Sequence, residues 1–421
     1  MRPNLTPDIE LAGQLFDALR DRTFDGIGIT REAYGPGERI AHALVGEAAA
    51  GLGLEVRADH AGNLHMTLPG ADRAAKRIVL GSHLDSVRNG GNFDGAAGVL
   101  AGLATVAGMR RAGFTPARDM TVLAIRAEEA GAWFPTSYPG SHAALGTLPA
   151  SALDIPRQDS GRSLADHMRE EGFDPDAVRR GTRALGPDTV AAYLELHIEQ
   201  GPVLEAEGIP VGIVTGIPGS RRYRAGRVLG EYNHSGAVPR RYRRDAAIAL
   251  AEFAHELDEA WGRLDAQGHQ MVCTFCVLAT TEAAGFTKIA GEARFQLDMR
   301  SVSIESLDAL HDELQRLVPA IEARRGVRFE LGPMSGSTAA PMDPALQAGL
   351  AAAADSLGVG HLAMASGAGH DAAAFAQAGV PAAMLFVRNQ NGSHNPDEAM
   401  RMEDFAAGCA VMTRWAADFA Q

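Results

Sequence analysis

Apolar and polar positions keep one rhythm over the first half of the 421-residue chain, change it near Gly216, and return to it after residue 332. From Asp8 to Leu19 and from Arg39 to Leu52 the apolar residues recur with helical spacing, which predicts two amphipathic helices. Glu55 to Leu68 alternates around the turn Ala61-Gly62-Asn63 and predicts a hairpin. Short apolar runs follow at Arg77–Gly81 and Met120–Ile125, separated by an Ala-, Leu-, Val- and Gly-rich helix from Gly95 to Arg111. Continuous apolar runs of strand length, alternating with helices, point to a mainly parallel sheet covered on both faces. Residues 151–190 turn polar and read as a helical surface excursion, after which Ala191–Ile198 is a further strand.

In the middle segment, Arg222–Gly230, Met271–Thr280, Ala293–Met299 and Val327–Leu331 predict strands. Arg244–Trp261 and Ile304–Arg324 predict helices, the second with Ser303 placed to cap it. Ala293, Phe295, Leu297 and Met299 alternate with Arg294, Gln296, Asp298 and Arg300, so one face is apolar and the other polar. Strand–helix–strand–strand–helix–strand is the split βαβ plan of a ferredoxin-like α+β domain. Beyond residue 332 the first rhythm resumes. Asp343-Pro344 opens a helix and Pro381–Val387 is a last buried strand. The predicted fold class is therefore α/β. A mainly parallel-sheet domain in two parts, 1–215 and 333–421, is interrupted by an inserted ferredoxin-like α+β domain, 216–332.

Composition fits that reading. The chain is too long for one ordinary core, and 46% hydrophobic with 22% charged residues is the make-up of a soluble globular protein. A net charge of −13 without a basic run argues against a nucleic-acid partner. No apolar stretch approaches the roughly 20 residues of a membrane span. The start, Met1-Arg2-Pro3-Asn4-Leu5-Thr6-Pro7, lacks the apolar core of a signal peptide, and three cysteines suit a reducing cytoplasm. Cys273 and Cys276 sit at an odd offset within a predicted strand, so they face opposite ways and are expected to be packing residues.

The chemistry-bearing residues end or closely follow the predicted strands. They lie in Gly81-Ser82-His83-Leu84-Asp85, Gly91-Asn92-Phe93-Asp94-Gly95, Arg126-Ala127-Glu128-Glu129, Glu195-Leu196-His197-Ile198-Glu199-Gln200 and Gly392-Ser393-His394-Asn395-Pro396. Strand ends at the carboxyl edge of an α/β sheet are where such folds place ligands. His83, Asp94, Glu129, His197 and His394 supply three imidazoles and two carboxylates, enough for two divalent metals sharing a bridging carboxylate. Asp85 is expected to accept the proton on the free ring nitrogen of His83. Glu128 and Glu129 diverge from adjacent positions, so one can ligate while the other handles a proton of the attacking water. Singly each motif is weak, since a His after a strand or a Glu pair is most often an ordinary surface feature. Their joint occurrence in this order is what carries weight.

That order, continued by Asn233-His234-Ser235-Gly236, Leu297-Asp298-Met299-Arg300 and Ser366-Gly367-Ala368-Gly369-His370-Asp371, resembles one group of two-metal amidohydrolases. The group is the hydantoinase/carbamoylase-type amidases, with allantoate amidohydrolase, N-carbamoyl-L-amino-acid amidohydrolase and β-ureidopropionase among its members. It belongs to a clan shared with aminoacylases and carboxypeptidase G-like peptidases. The resemblance spans essentially the whole chain, and Glu195-Leu196-His197-Ile198-Glu199-Gln200-Gly201-Pro202 is its most specific segment. It implies that His83, Asp94 and His197 hold one metal and Asp94, Glu129 and His394 the other, with zinc or manganese, or cobalt or nickel, as the ions. Glu128 is implied as general acid/base. His234 is implied to polarise the scissile carbonyl in a partner subunit's site. Arg300 is implied to grip the substrate carboxylate, and Gln200, Thr287 and Gly367 to be substrate-side positions.

The resemblance thus implies a homodimeric hydrolase with a lid, acting on a small carboxylate-bearing N-carbamoyl amino acid or ureido acid. An aminoacylase or dipeptidase of the same clan, or a silent binding protein that keeps the fold, are the alternatives. The departures gather around substrate recognition. Thr287 stands where the group usually has Asn, Ala290 where it has Pro and Ser220 where it has Gln. Ala130-Gly131-Ala132-Trp133-Phe134 is one residue longer than the usual segment after the Glu pair and puts Trp133 in place of an Arg.

Overall fold

The computed structural model describes residues 5–420. Two compact units divide the chain. One runs to Thr215 and resumes at Pro341, and the other is Gly216–Ala340.

The larger unit is built on an eight-stranded sheet. Its order is Glu55–Ala58, Leu64–Leu68, Met120–Ile125, Arg77–His83, Val190–Ile198, Ala382–Val387, Val211–Val214, His361–Met364. The four strands from Met120–Ile125 to Ala382–Val387 are mutually parallel. These are the continuous apolar runs of the sequence, and both their faces are covered: Val79, Leu80, Val122, Leu194 and Leu385 are fully buried. Helices Ile9–Thr23, Pro36–Gly51, Ala96–Arg111, Pro344–Leu357 and Met402–Phe419 pack around the sheet. Of these, Ala96–Arg111 is buried on nearly every side, which its composition of small and apolar residues permits. Residues 150–179 form three short helical segments with a small core of their own around Leu153, Leu164, Met168 and Val178.

In the smaller unit an antiparallel sheet is ordered Val272–Thr280, Glu292–Ser301, Gly219–Leu229, Arg328–Glu330, and Met334–Ser337 also pairs with Gly219–Leu229. With helices Ala246–Ala266 and Ile304–Arg325 between strands, this is the ferredoxin-like arrangement. One sheet face packs Phe295, Leu297 and Met299 against Phe253, Leu257, Leu310 and Leu314 of the helices. The alternating partners Arg222, Gln296, Asp298 and Arg300 take the opposite face.

Two expectations are corrected. The boundary placed after residue 332 falls after Ala340, because Met334-Ser335-Gly336-Ser337 forms a strand on Ser220–Tyr223 although it shows no apolar alternation. Cys276 is not a packing residue. A bulge between Phe275 and Val277 leaves it exposed, while Cys273 packs partly against the core. Among the described residues no helix is long and apolar enough to cross a membrane.

Candidate metal centre

The four parallel strands deliver their ends to one edge of the larger unit's sheet. His83 ends Arg77–His83, His197 is next to last in Val190–Ile198, Glu128 and Glu129 follow Met120–Ile125, and His394 lies on the loop after Ala382–Val387. Register places His83 beside Ile125 and His197 beside Phe386. Asp94 is on the loop from His83 to helix Ala96–Arg111. Turns at this edge are tight. Ala127, Gln200 and His394 take φ values of 59°, 63° and 61°, in the left-handed region that a Cβ disfavours. Gly95, with φ 65°, has a second constraint: a Cβ there would lie 2.4 Å from the His83 ring.

The two carboxylate oxygens of Asp94 face different partners. Its Oδ1 lies 3.5 Å from His83 Nε2 and 3.3 Å from His197 Nε2. Its Oδ2 lies 3.5 Å from His394 Nε2, which in turn is 2.7 Å from Glu129 Oε1. Two clusters of ligand-type atoms result, His83–Asp94–His197 and Asp94–Glu129–His394. The ring orientations suit coordination. His83 Nδ1 faces the Asp85 carbonyl at 3.1 Å and His197 Nδ1 the Ile198 carbonyl at 2.9 Å. In the neutral ring that a cation would bind, each Nδ1 therefore carries the proton and each Nε2 presents a lone pair inward. Asp94 Oδ1 is buried without a hydrogen-bond partner, an acceptor that a cation would satisfy. The donor set, imidazole nitrogen and carboxylate oxygen, fits zinc or manganese.

Charge at this edge is predominantly negative. Burial, with Glu129 and Asp371 adding repulsion against the pull of His83, pushes the Glu128 carboxyl well above its ordinary range. Glu128 Oε2 is 3.9 Å from His83 Nε2. Burial opposes a charged His83, yet Glu128, Asp85 and Asp94 around it hold its pKa well above the usual value. The Glu129 carboxylate raises His394 to about 9. A cluster in which histidines are drawn toward protonation by surplus carboxylates is one that cations would neutralise.

Asp85 does more than expected. Its carboxylate oxygen is 3.4 Å from His83 Nδ1, farther than its own carbonyl, and the two oxygens accept the N–H groups of Glu128 and Glu129, each at 3.0 Å. It thus sets the Glu pair as well as the histidine. Gln200 is also more central than a substrate-side role implies, because its Nε2 donates to Asp94 Oδ2 at 2.8 Å. Gly367 is exposed on the Ser366–His370 loop, where Ser366 Oγ bonds the buried His370 at 3.0 Å. Trp133 is held within the protein. It is buried, donates to the Ser86 carbonyl at 2.9 Å, and has Arg88 and Arg157 over its ring.

Three supports were not anticipated. Arg31, fully buried, donates to the Leu84 carbonyl at 2.6 Å and to Asn92 Oδ1 at 3.2 Å, tying together the loops that carry Asp85 and Asp94. Glu38 pairs with Arg126 at 2.9 Å and accepts the Ala127 N–H at 2.8 Å, which holds the turn before Glu128. Glu398 accepts the Phe93 and Asp94 N–H groups at 2.8 and 3.2 Å and the Ser393 hydroxyl at 2.7 Å, and so links the Asp94 and His394 loops. Only Glu398 had a sequence signal, its place three residues after Asn395 in the last motif.

His234, Thr287 and Arg300 belong to the smaller unit. Asn233–His234 pairs with Lys288–Ile289, and the Ser235 N–H donates to the Thr287 carbonyl at 2.9 Å, so His234 and Thr287 share one exposed loop cluster. His234 Nδ1 accepts the Gly236 and Ala237 N–H groups at 3.0 and 3.1 Å. That fixes Nδ1 as the acceptor and leaves the proton on Nε2, which is then a donor. Arg300 meets Asp298 Oδ2 through Nε at 3.0 Å and Nη2 at 2.9 Å.

Known proteins share both the sequence and this architecture. The sequence model of Peptidase family M20/M25/M40 matches residues 79–418. An N-carbamoyl-L-amino acid amidohydrolase of Geobacillus stearothermophilus is 37% identical over 386 residues, covering 91% of this chain and 92% of that protein. An allantoate amidohydrolase of Bacillus subtilis (strain 168) is 33% identical over 387 residues, covering 92% and 91%. The crystal structure of a hydantoinase/carbamoylase family amidase from Burkholderia multivorans superposes with a TM-score of 0.89 at 27% identity, covering 99% of each chain. The chain belongs to Peptidase family M20/M25/M40.

Proposed function

We propose that this chain is a metal-dependent amidohydrolase that cleaves a linear ureido or amide C–N bond in a small carboxylate-bearing substrate, an N-carbamoyl-L-amino acid or a ureido acid such as allantoate. The observation that carries the reading is the division of the Asp94 oxygens between two ligand clusters with Glu128 beside them. The names of the two relatives support the substrate class. His83, Asp94 and His197 would hold one cation and Asp94, Glu129 and His394 the second, zinc or manganese, with cobalt or nickel as alternatives. Bound there, the cations supply Lewis-acid activation of water and of the scissile carbonyl.

The chain's own residues do the rest. Glu128 takes a proton from the attacking water and returns it to the leaving nitrogen, a role supported by its place at the cluster, with Oε2 3.9 Å from His83 Nε2. His234 offers its Nε2 proton to the oxyanion as charge develops. Arg300, whose guanidinium Asp298 orients through Nε and Nη2, binds the substrate carboxylate, while Gln200, Thr287 and Gly367 complete the substrate side.

In this reading the smaller unit is the lid and dimerisation domain, and His234 serves the site of a second copy. Val272–Thr280 supports that assignment, since it is a sheet-edge strand with Val272, Val277 and Leu278 exposed. An apolar edge of this kind is suited to pairing with another chain. A cytoplasmic location is part of this reading, and the three cysteines are in keeping with it.

The test is a screen of manganese- and zinc-loaded protein on N-carbamoyl-L-amino acids, allantoate and ureidoglycolate, with N-acetyl amino acids and dipeptides alongside. Ammonia release from the ureido compounds is expected. Cleavage confined to acyl or peptidyl amides would move the chain to the aminoacylase or dipeptidase side of its clan. Inactivity on all of them would leave a binding protein.

A further inference from the structure

We propose that the open sheet face of the smaller unit recognises a second acidic group, so that the preferred substrate is a dicarboxylate such as the N-carbamoyl derivative of an acidic amino acid. The inference rests on the amidohydrolase reading above and on Arg300 as the clamp for the first carboxylate.

A cleft of about 320 Å³ on this face is lined by Arg222, Arg224, Gln296, Asp298 and Arg300, with Cys276 at its side. Strand register explains why these residues meet. Arg222 pairs with Asp298 and Ser220 with Arg300, so alternate residues of both strands project to the same side. Asp298 fixes the row: its Oδ1 accepts from Arg222 Nε at 3.2 Å, and its Oδ2 accepts from Arg300 Nε and Nη2 at 3.0 and 2.9 Å. Arg224 is exposed two residues along from Arg222.

Charge count decides the ligand class. Three guanidinium groups line the cleft against one carboxylate, which leaves a surplus of two positive charges in a chain whose net charge is −13. One substrate carboxylate would leave one charge unmatched, whereas a dianion balances both. Solvated surface arginines are the ordinary alternative. Against it, the Arg222 and Arg300 side chains keep only 28% and 34% of their exposure, so their charges are partly desolvated and already oriented. The volume lies at the small end of the roughly 300–1,000 Å³ typical of ligand pockets, which suits a small dianion and not a nucleotide or peptide.

The experiment compares kcat/KM for N-carbamoyl-L-aspartate and N-carbamoyl-L-glutamate with that for N-carbamoyl-L-alanine and N-carbamoyl-L-leucine. The dicarboxylates should be favoured by about tenfold or more, as one additional charge-assisted contact provides. Arg222→Gln and Arg224→Gln should each shrink that ratio, whereas Arg300→Gln should impair both classes. Preference for the monocarboxylates, or a ratio unmoved by either substitution, would overturn the proposal while leaving the amidohydrolase reading in place. If no N-carbamoyl compound is turned over, that reading fails. The cleft is then judged by equilibrium binding. Succinate should bind more tightly than butyrate, with the difference reduced in Arg224→Gln, and equal binding would overturn it.

Discussion

Asp94 Oδ1 is a buried carboxylate oxygen with two imidazole nitrogens near it and no hydrogen bond to satisfy it. An acceptor left this way is costly in a folded chain unless a cation completes it. The proton-handling role proposed for Glu128 falls to a separate group. Glu128→Gln keeps the shape of the site and removes only the titrating oxygen, so it should retain bound metal and lose about 10²–10⁴-fold in kcat. Metal analysis of the variant beside its turnover checks this, and loss of the metal would transfer Glu128 to the ligands. Arg300→Lys replaces a fork by a point charge and should raise KM about tenfold with a smaller effect on kcat. Steady-state kinetics decide it, and an unchanged KM would remove Arg300 from substrate binding. At this scale the ligand-type residues were legible because each ends or trails a strand run. Arg31 was not, since a lone arginine in a polar stretch carries no sign that it will be buried between two loops. The local spacing of Asp85 suggested a partner for His83 and could not show the Glu128 and Glu129 N–H groups that its oxygens also accept.

Loops as well as strand ends bring the clusters together. Glu398 joins the Asp94 loop to the His394 loop, which are some 300 residues apart in sequence, and Gly91 makes room for it, since a Cβ there would meet the Glu398 carboxyl at 2.1 Å. Glu398→Ala strips the acceptor from the Phe93 and Asp94 N–H groups. A cost of about 1–3 kcal/mol per buried group left unpaired follows. The expected result is a lower melting temperature together with weaker binding of one cation, measured by thermal unfolding and metal titration. A variant with wild-type values in both would make the contact incidental. Periodicity found the strands and helices of both units, because apolar runs and clean alternation are strong signals. It missed Met334–Ser337, where one Met followed by Ser, Gly and Ser shows no apolar alternation, and it missed the bulge at Cys276, which breaks alternation without changing composition.

At the scale of the molecule the ligand clusters belong to one unit and His234, Thr287 and Arg300 to the other. If His234 acts across a dimer, two inactive variants can restore each other. Mixing His234→Ala with Glu128→Gln subunits after dissociation should return about a quarter of wild-type activity, because half the dimers are mixed and each has one complete site. No recovery would place His234 in its own subunit's site. The division of the chain was visible as a change of rhythm near Gly216, whereas the pairing of subunits leaves no periodic trace.

The central claim is that catalysis needs the two cation positions sharing Asp94. It is tested most directly by titrating manganese or zinc into metal-stripped protein while following ammonia release from an N-carbamoyl-L-amino acid or allantoate. The account predicts no turnover without metal and a rise that saturates at two cations per subunit. Ammonia release that is indifferent to chelation, or complete at a single cation, would contradict it.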